Sequence, residues 1–376
     1  MCTRPFAKPS FVFTSTSFRY FAEECDSLAG FHIIAHDCGA FGALTESVVT
    51  HLNDTFPGLP LLVYSVRSPA EHGTDEDPGA PRRRALTEAL ALWKCGTAAR
   101  VYAPLGRERP SQAWSGTCSV DDAQLFHTAA PLAVAIDTAT LAWRLARHHD
   151  AGSGACELWE AMEGWTGGTA RRPLVATSLA MPASPLRRPH AVHGRGGPAA
   201  GTTAAMPAAQ LDSGWVSLTE GIAASPEAPT YESYAVRGLR FEDDNTRADV
   251  TSVQLAMHQW LRTAGGVRCP RALSCSTAPV PLPLSFPRIM HRAPMTTPRP
   301  ANPPDVAVVS RTAATEDFGP VLKRQADRFK TMCATAPARA LFSAWGLSTT
   351  DADEAGESLA TLAQNYTDAY SSGDDE

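Results

Sequence analysis

The chain has 376 residues and a formal net charge of −6 at pH 7, and it is 44% hydrophobic, 19% charged and 8% aromatic. This composition excludes a wholly disordered chain, a collagen and a coiled coil. The mildly acidic balance provides no overall field that would attract nucleic acid or an anionic lipid surface. We therefore expect a globular protein of two or three domains that does not bind nucleic acid.

Cysteine usage and hydropathy exclude further classes. The nine cysteines are irregularly spaced and form no CxxC pair, so neither a disulfide framework nor a metal site is predicted. The most apolar run, residues 125–145, contains a histidine, a proline, an aspartate and an arginine, which oppose insertion into a bilayer. We predict reduced thiols and no transmembrane segment.

Residues 20–180 carry a mixed α/β pattern. Residues 31–35 are apolar and strand-like, and a glycine-containing turn follows them. Apolar residues then recur at every fourth position from Leu44 to Phe56, which predicts an amphipathic helix. Residues 61–66 are almost continuously apolar, as in a strand that is buried on both faces of a parallel sheet. This order predicts one βαβ unit.

Proline positions shape the next expectations. Pro81 suits the first turn of a helix with Leu86, Leu90 and Trp93 on its apolar face. A second helix is predicted within residues 132–147, starting after Pro131. The sequence also predicts a short helix over residues 158–165 and a strand over residues 174–179.

Residues 181–310 form a region rich in Pro, Gly and Ala that we expect to be partly disordered. Of the chain's 30 prolines, 17 lie between positions 181 and 304, which disfavours long helices and central strands there. Three apolar islands could still pack, at residues 215–218, 234–238 and 253–261. The stretch 187–205 is predicted to be a flexible loop.

Residues 311–370 recover helical periodicity. Apolar residues from Phe318 to Cys333 share one face of a predicted helix. Residues 350–353 are predicted to cap the N-terminus of a last helix, and residues 371–376 form a polar tail that we expect to be disordered. Residues 1–19 match neither pattern and are treated as a separate segment.

The turn before the first helix is the main candidate binding site. Gly39 and Gly42 lie where backbone N–H groups could converge on a phosphate at a helix N-terminus. The turn also contains Cys38 and the bulky Phe41, and Asp37 adds a negative charge. No Walker GxxxxGK[ST] or GxGxxG motif occurs, so an ordinary strand–helix turn is favoured over a phosphate loop.

Other polar clusters favour plain interpretations. The acidic residues Glu23, Glu24 and Asp26 are expected to be solvated rather than catalytic. His190 and His193 are expected to bind no metal. The pair of residues at 143–144, Trp and Arg, is expected to provide packing and surface pairing.

One segment carries a specific family resemblance. Residues 21–31, FAEECDSLAGF, resemble the E-x-C-D-x-L-Q-G-F segment of the Misato family, the mitochondrial distribution and morphology proteins related to tubulin. The resemblance continues through residues 39–64 and 126–145 and returns at 318–366. It implies a tubulin-like α/β fold: a partial parallel sheet with flanking helices, a Pro-rich middle region and a helical C-terminal part.

Two departures from the family qualify what the resemblance implies. Family members carry a tubulin-like segment upstream of this motif, so we expect that segment to be lacking here, through an alternative start or a misassigned gene structure. Tubulin's G-G-G-T-G-S-G loop is reduced to CGAFGA at residues 38–43, and the acidic G-x-x-N-x-D loop is not found. GTP hydrolysis is therefore not expected, and no cofactor is expected, although GTP binding stays open.

The resemblance implies a non-enzymatic protein that regulates mitochondrial distribution, morphology and fusion. It would act in the cytoplasm or peripherally at the mitochondrial outer membrane, through a protein partner that contacts residues 132–147 or 318–366. The acid-free composition of residues 1–22 also fits a transit peptide, which makes the matrix a less favoured location. The alternatives are a GTP-binding or weakly hydrolysing tubulin-like subunit, a microtubule or spindle interactor, and a truncated gene product without function.

Overall fold

A computed structural model describes residues 12–67, 79–106, 118–145, 152–167, 171–186, 214–224, 229–242, 245–263, 271–290 and 303–367. Its helices are α1 (Val12–Glu23), α2 (Gly39–Thr55), α3 (Ala80–Ala91), α4 (Leu125–Ala139), α5 (Leu158–Thr166), α6 (Val250–Thr263), α7 (Phe318–Cys333), α8 (Ala336–Trp345) and α9 (Thr349–Asn365). A π-helical turn, Leu92–Gly96, continues α3.

The strands of the described residues fall into two main sheets and a small antiparallel pair, β9 with β10. They are β1 (Phe31–Ala35), β2 (Leu61–Val66), β3 (Val101–Leu105), β4 (Gly152–Ser153), β5 (Ala176–Ala180), β6 (Trp215–Ser217), β7 (Pro229–Arg237), β8 (Arg271–Ser276), β9 (Val280–Pro281), β10 (Asp305–Val306) and β11 (Val308–Thr315).

The first sheet is parallel, in the order β1–β2–β3. Its middle strand, β2, is buried on both faces. Successive side chains of a strand point to opposite sides, so the strand contributes to two apolar clusters. Leu61 and Val63 pack in one apolar cluster with α2, α3 and α7–α9, whereas Leu62 and Tyr64 pack in another with α4 and α5. The predicted βαβ unit, β1–α2–β2, is confirmed.

The second sheet has six strands in the order β4–β8–β7–β11–β5–β6, and only the β7–β8 pair within it is parallel. It meets the first sheet where the backbone before β5 runs beside β3. There the Tyr102 N–H donates to the Pro173 carbonyl over 2.8 Å, and the Val175 N–H donates to the Tyr102 carbonyl over 3.1 Å. The two sheets are therefore joined through hydrogen bonds at the edge of β3.

The expectation for the Pro-rich region is wrong in its central part. The nine-residue strand β7 lies inside the six-stranded sheet, and α6 has 14 residues. The reason is the distribution of prolines, since none occurs between residues 230 and 269, and Pro229 stands at the first position of its strand. All three predicted islands pack. The predicted flexible loop at 187–205 and the predicted disordered tail at 371–376 lie outside the described residues.

Helix α4 also departs from the prediction. It begins at Leu125 rather than after Pro131, and it ends at Ala139. Pro131 sits inside the helix, where it forfeits one backbone hydrogen bond. Burial of Leu132, Ala135 and their neighbours against the sheet outweighs that loss.

The residues after α4 act as predicted. The Trp143 ring packs 5.7 Å from the Trp165 ring, and the Arg144 guanidinium pairs with the Asp137 carboxylate at 2.9 Å. This confirms packing and surface pairing for the two residues.

Helix α7 forms as the periodicity predicts, with Phe318, Leu322 and Phe329 buried on its inner face, and α9 also forms, whereas α8 was not predicted. The start of α9 differs: its N-cap is Ser348 in a capping box with Asp351, not the stretch from residue 350. The capping serine was missed because the Thr and Asp that follow it have the same preference for N-caps. No helix in the described ranges combines the length and apolarity needed to cross a bilayer.

Candidate functional site

The turn between β1 and α2 is organised by local constraints on two glycines. Cys38 is the N-cap residue of α2 but makes no side-chain hydrogen bond to the helix. Gly39 has a φ of +64°, in the left-handed region that disfavours a side chain. At Gly42 an added Cβ would lie 2.2 Å from the Asp37 carbonyl oxygen. The turn thus needs glycine at 39 for its conformation and at 42 for space.

A buried ion pair stands beside this turn. The Asp37 side chain is fully buried, and Arg67, the first residue after β2, approaches it in a bidentate geometry. Arg67 Nε donates to Asp37 Oδ1 over 3.0 Å, and Nη2 donates to Oδ2 over 2.8 Å. The Tyr102 hydroxyl also donates to the Asp37 carboxylate, and Arg67 Nη2 donates to Tyr102 Oη over 3.2 Å. One carboxylate therefore connects the ends of β1 and β2 with the second residue of β3.

The protonation states of these groups follow from their surroundings. Burial alone would raise the pKa of Asp37, but the charge of Arg67 and the hydrogen bonds from Arg67 and Tyr102 outweigh burial and hold that pKa well below its usual range. Burial, reinforced by the neighbouring Asp37 charge, raises the pKa of the Cys38 thiol far above its usual value. At neutral pH the aspartate is charged and the cysteine is not a thiolate nucleophile.

This geometry predicts an acid-sensitive contribution to stability. Because the folded pKa of Asp37 is depressed, its contribution is fully present above the unfolded-state pKa of about 3.9 and is lost as the pH falls through the folded value. Between about pH 5 and about pH 3, the urea midpoint of the wild type is expected to fall further than that of Asp37→Asn. Parallel losses in the two proteins would contradict the role of this carboxylate.

A cavity of about 1140 Å³ opens at the carboxyl ends of β2 and β3. Arg67 and Gly106, the residues that follow these strands, line it together with side chains of α3, α7 and residues 215–224. Ligands in open α/β sheets bind outside the carboxyl ends of the strands, so the position suits a binding site. Gly39 and Gly42 do not line the cavity, and Arg67 connects the turn with it.

The remaining predicted residues play smaller parts. Glu23, Glu24 and Asp26 are exposed, as expected of a solvated cluster. Within the described ranges no group of three or more His, Cys, Asp or Glu side chains could hold a metal ion. His190 and His193 lie outside those ranges. Phosphate binding by Gly39 and Gly42 stays a prediction.

Comparisons with known proteins match part of this chain. A family model described as a tubulin domain matches residues 13–145. Protein DML1 of Gibberella zeae is 29% identical over 141 residues, 38% of this chain and 27% of its own length. Protein misato of Drosophila melanogaster is 27% identical over 181 residues, 44% of this chain and 29% of its own. Over this part, the chain is similar to a tubulin domain and to proteins of the Misato family.

The Misato-family match has a defined extent. Protein misato homolog 1 of Danio rerio is 25% identical over 169 residues, 43% of this chain and 27% of its own length. The chain thus spans between 27% and 29% of the length of these curated relatives. The tubulin-domain segment contains Asp37, Arg67 and Tyr102, so the buried cluster lies within the tubulin-related part. The resemblance at residues 318–366 lies beyond residue 145 and stays a prediction.

Proposed function

We propose that this chain is a non-enzymatic, tubulin-related protein that acts in mitochondrial distribution, morphology and fusion. The observation that carries the proposal is the tubulin-domain match over residues 13–145 together with the relatedness to DML1 and misato proteins. Its place of action would be the cytoplasm or the outer mitochondrial surface, as the family resemblance implies.

The chemistry of the β1–α2 turn supports the non-enzymatic part of the proposal. A phosphate loop works by presenting unengaged N–H groups and positive charge to an anion. Here a buried carboxylate, Asp37, occupies the turn and takes up most of the Arg67 fork. The protonated Cys38 thiol offers no nucleophile.

The exposure of the helices favours one surface for a protein partner. Most of α4 is buried, which leaves Leu125 and Phe126 at its start as exposed large apolar side chains. By contrast, α7 presents charged side chains to solvent, including Lys323, Asp327 and Lys330. Of the two surfaces that the sequence suggests, α7 and its neighbours α8 and α9 are therefore the better candidate.

Depletion of the protein in its native cells tests the function. We expect mitochondria to fragment or cluster, and re-expression of the wild-type chain to restore the network. Lys323→Glu/Lys330→Glu is expected to restore it less well, since it reverses charge on the proposed partner surface without touching buried residues. An unchanged network in depleted cells would sink the proposal, and full restoration by the charge-reversed chain would remove the α7 surface from it.

A further inference from the structure

Arg67 has binding capacity that its aspartate does not use. Its Nε and Nη2 groups bind Asp37 and Tyr102, whereas Nη1 has no hydrogen-bond partner among the described residues. The side chain is only 10% exposed, and Arg67 is one of the residues that line the 1140 Å³ cavity. Because Asp37 fixes the plane of the guanidinium, the free edge of Arg67 is held in place before any ligand arrives.

Two more arginines line the same cavity from α7. Arg324 and Arg328 are four residues apart, so they lie one helical turn from each other on a single face. Both are exposed, and no carboxylate of the described residues lies within 4.0 Å of either guanidinium. Other arginines of the described ranges are paired with carboxylates, among them Arg84, Arg100, Arg144, Arg172, Arg237, Arg240, Arg247 and Arg311.

Neither of the two acidic residues that line the cavity forms an ion pair with Arg324 or Arg328 among the described residues. Glu88 is ion-paired with Arg84 at 2.7 Å. Glu220, in the loop after β6, also has an interaction partner. The cavity thus presents unpaired positive charge at its rim and one fixed guanidinium edge inside. Planar guanidinium groups match the oxygens of phosphate in paired hydrogen bonds.

The rest of the lining indicates more than an inorganic ion. Leu92, Leu174, Phe318 and Leu322 are buried side chains that form apolar wall. The volume of about 1140 Å³ greatly exceeds that of a single phosphate and lies slightly above the usual range of sites for small organic ligands. An occupant that satisfies both parts of the lining has an organic body and a phosphate group.

We propose that this cavity binds a small organic phosphate, with Arg67, Arg324 and Arg328 holding the phosphate oxygens. This site is separate from the Gly39–Gly42 turn, whose glycines do not line it. The test of this site is independent of the proposed mitochondrial role, because ligand binding is measured on the purified chain.

Calorimetric titration of the purified full chain with pyrophosphate and with GTP tests the site. Saturable binding is expected, weakened by added salt and at least about tenfold weaker in Arg324→Gln/Arg328→Gln. The matched control is Arg288→Gln/Arg339→Gln, which removes two exposed arginines that do not line the cavity and should bind as the wild type does. Circular dichroism and the urea midpoint confirm that each variant is folded.

A second variant distinguishes the cavity from the turn. Gly39→Asn introduces a residue that tolerates the left-handed conformation of this position. The variant is expected to retain binding of both probes in the cavity. Absence of binding to both probes in the wild type would overturn the proposal. So would unchanged affinity in Arg324→Gln/Arg328→Gln, and loss of binding confined to Gly39→Asn would move the ligand to the turn.

Discussion

Replacing Arg67 with alanine is expected to lower the free energy of unfolding by about 3–5 kcal/mol. The change leaves the fully buried Asp37 carboxylate without its counter-charge and without two hydrogen bonds. An uncompensated charge in the interior costs far more than the net value of the pair that it replaces. The loss should appear as a lower urea midpoint at neutral pH with an unchanged slope.

Arg84→Ala is the matched control for this prediction. Its ion pair with Glu88 has a similar distance, 2.7 Å, but the Arg84 side chain is 26% exposed and both residues lie on one helix. Such pairs contribute less than about 1 kcal/mol because water stabilises the separated charges. Equal losses in the two variants would show that burial at Asp37 carries no special cost.

The second large effect is expected at Gly42. Alanine there would place its Cβ 2.2 Å from the Asp37 carbonyl oxygen and 2.8 Å from the carbonyl carbon. These are backbone atoms, so the turn or the start of α2 must shift. We expect Gly42→Ala to lower the free energy of unfolding by at least about 3 kcal/mol, measured by urea denaturation.

Two other glycines provide controls for Gly42. An added Cβ at Gly39 meets no atom within 4 Å, so Gly39→Ala should cost only about 1–2 kcal/mol for its positive φ. Gly164 lies inside α5 with open space around it and no positive φ, so Gly164→Ala should be neutral or stabilising by about 1 kcal/mol. A Gly42→Ala protein as stable as Gly164→Ala would contradict the packing described for the turn.

Much of the first sheet could be predicted from local sequence pattern. Residues 61–66 read as a strand buried on both faces, and β2 has this position because two helical layers cover it. The apolar spacing from Leu44 to Phe56 likewise predicts helix α2, but its buried face runs through Val49 and Leu52, and Leu44 is exposed. Such patterns are local consequences of which side chains face the core, so a single sequence reveals them.

The elements that were missed depend on tertiary contacts. Pro131 marks a helix start on local grounds, yet α4 continues through it because its flanking residues are buried. The high proline content of residues 181–304 disfavours a central strand, yet β7 forms because the segment that contains it has no proline after Pro229. In both cases packing overrides a local preference that is correct on average.

The partner of Asp37 was the principal omission at the site. The sequence pattern presents Asp37 as a negative charge in a phosphate-like turn, whereas in the structure Arg67, 30 residues later, neutralises it. A signal was present: Asp37 lies just past β1 and Arg67 directly follows β2. Neighbouring parallel strands end at the same edge of a sheet, so opposite charges after each are expected to meet.

A double-mutant cycle on Asp37 and Arg67 tests most directly whether this pair holds the β1–α2 turn. The free energies of unfolding are measured for the wild type, Asp37→Ala, Arg67→Ala and the double variant. The structure predicts that the double variant loses less stability than the sum of the single losses, by about 2 kcal/mol or more, since removing both charges leaves neither unpaired. Losses that add to within about 0.5 kcal/mol would contradict it.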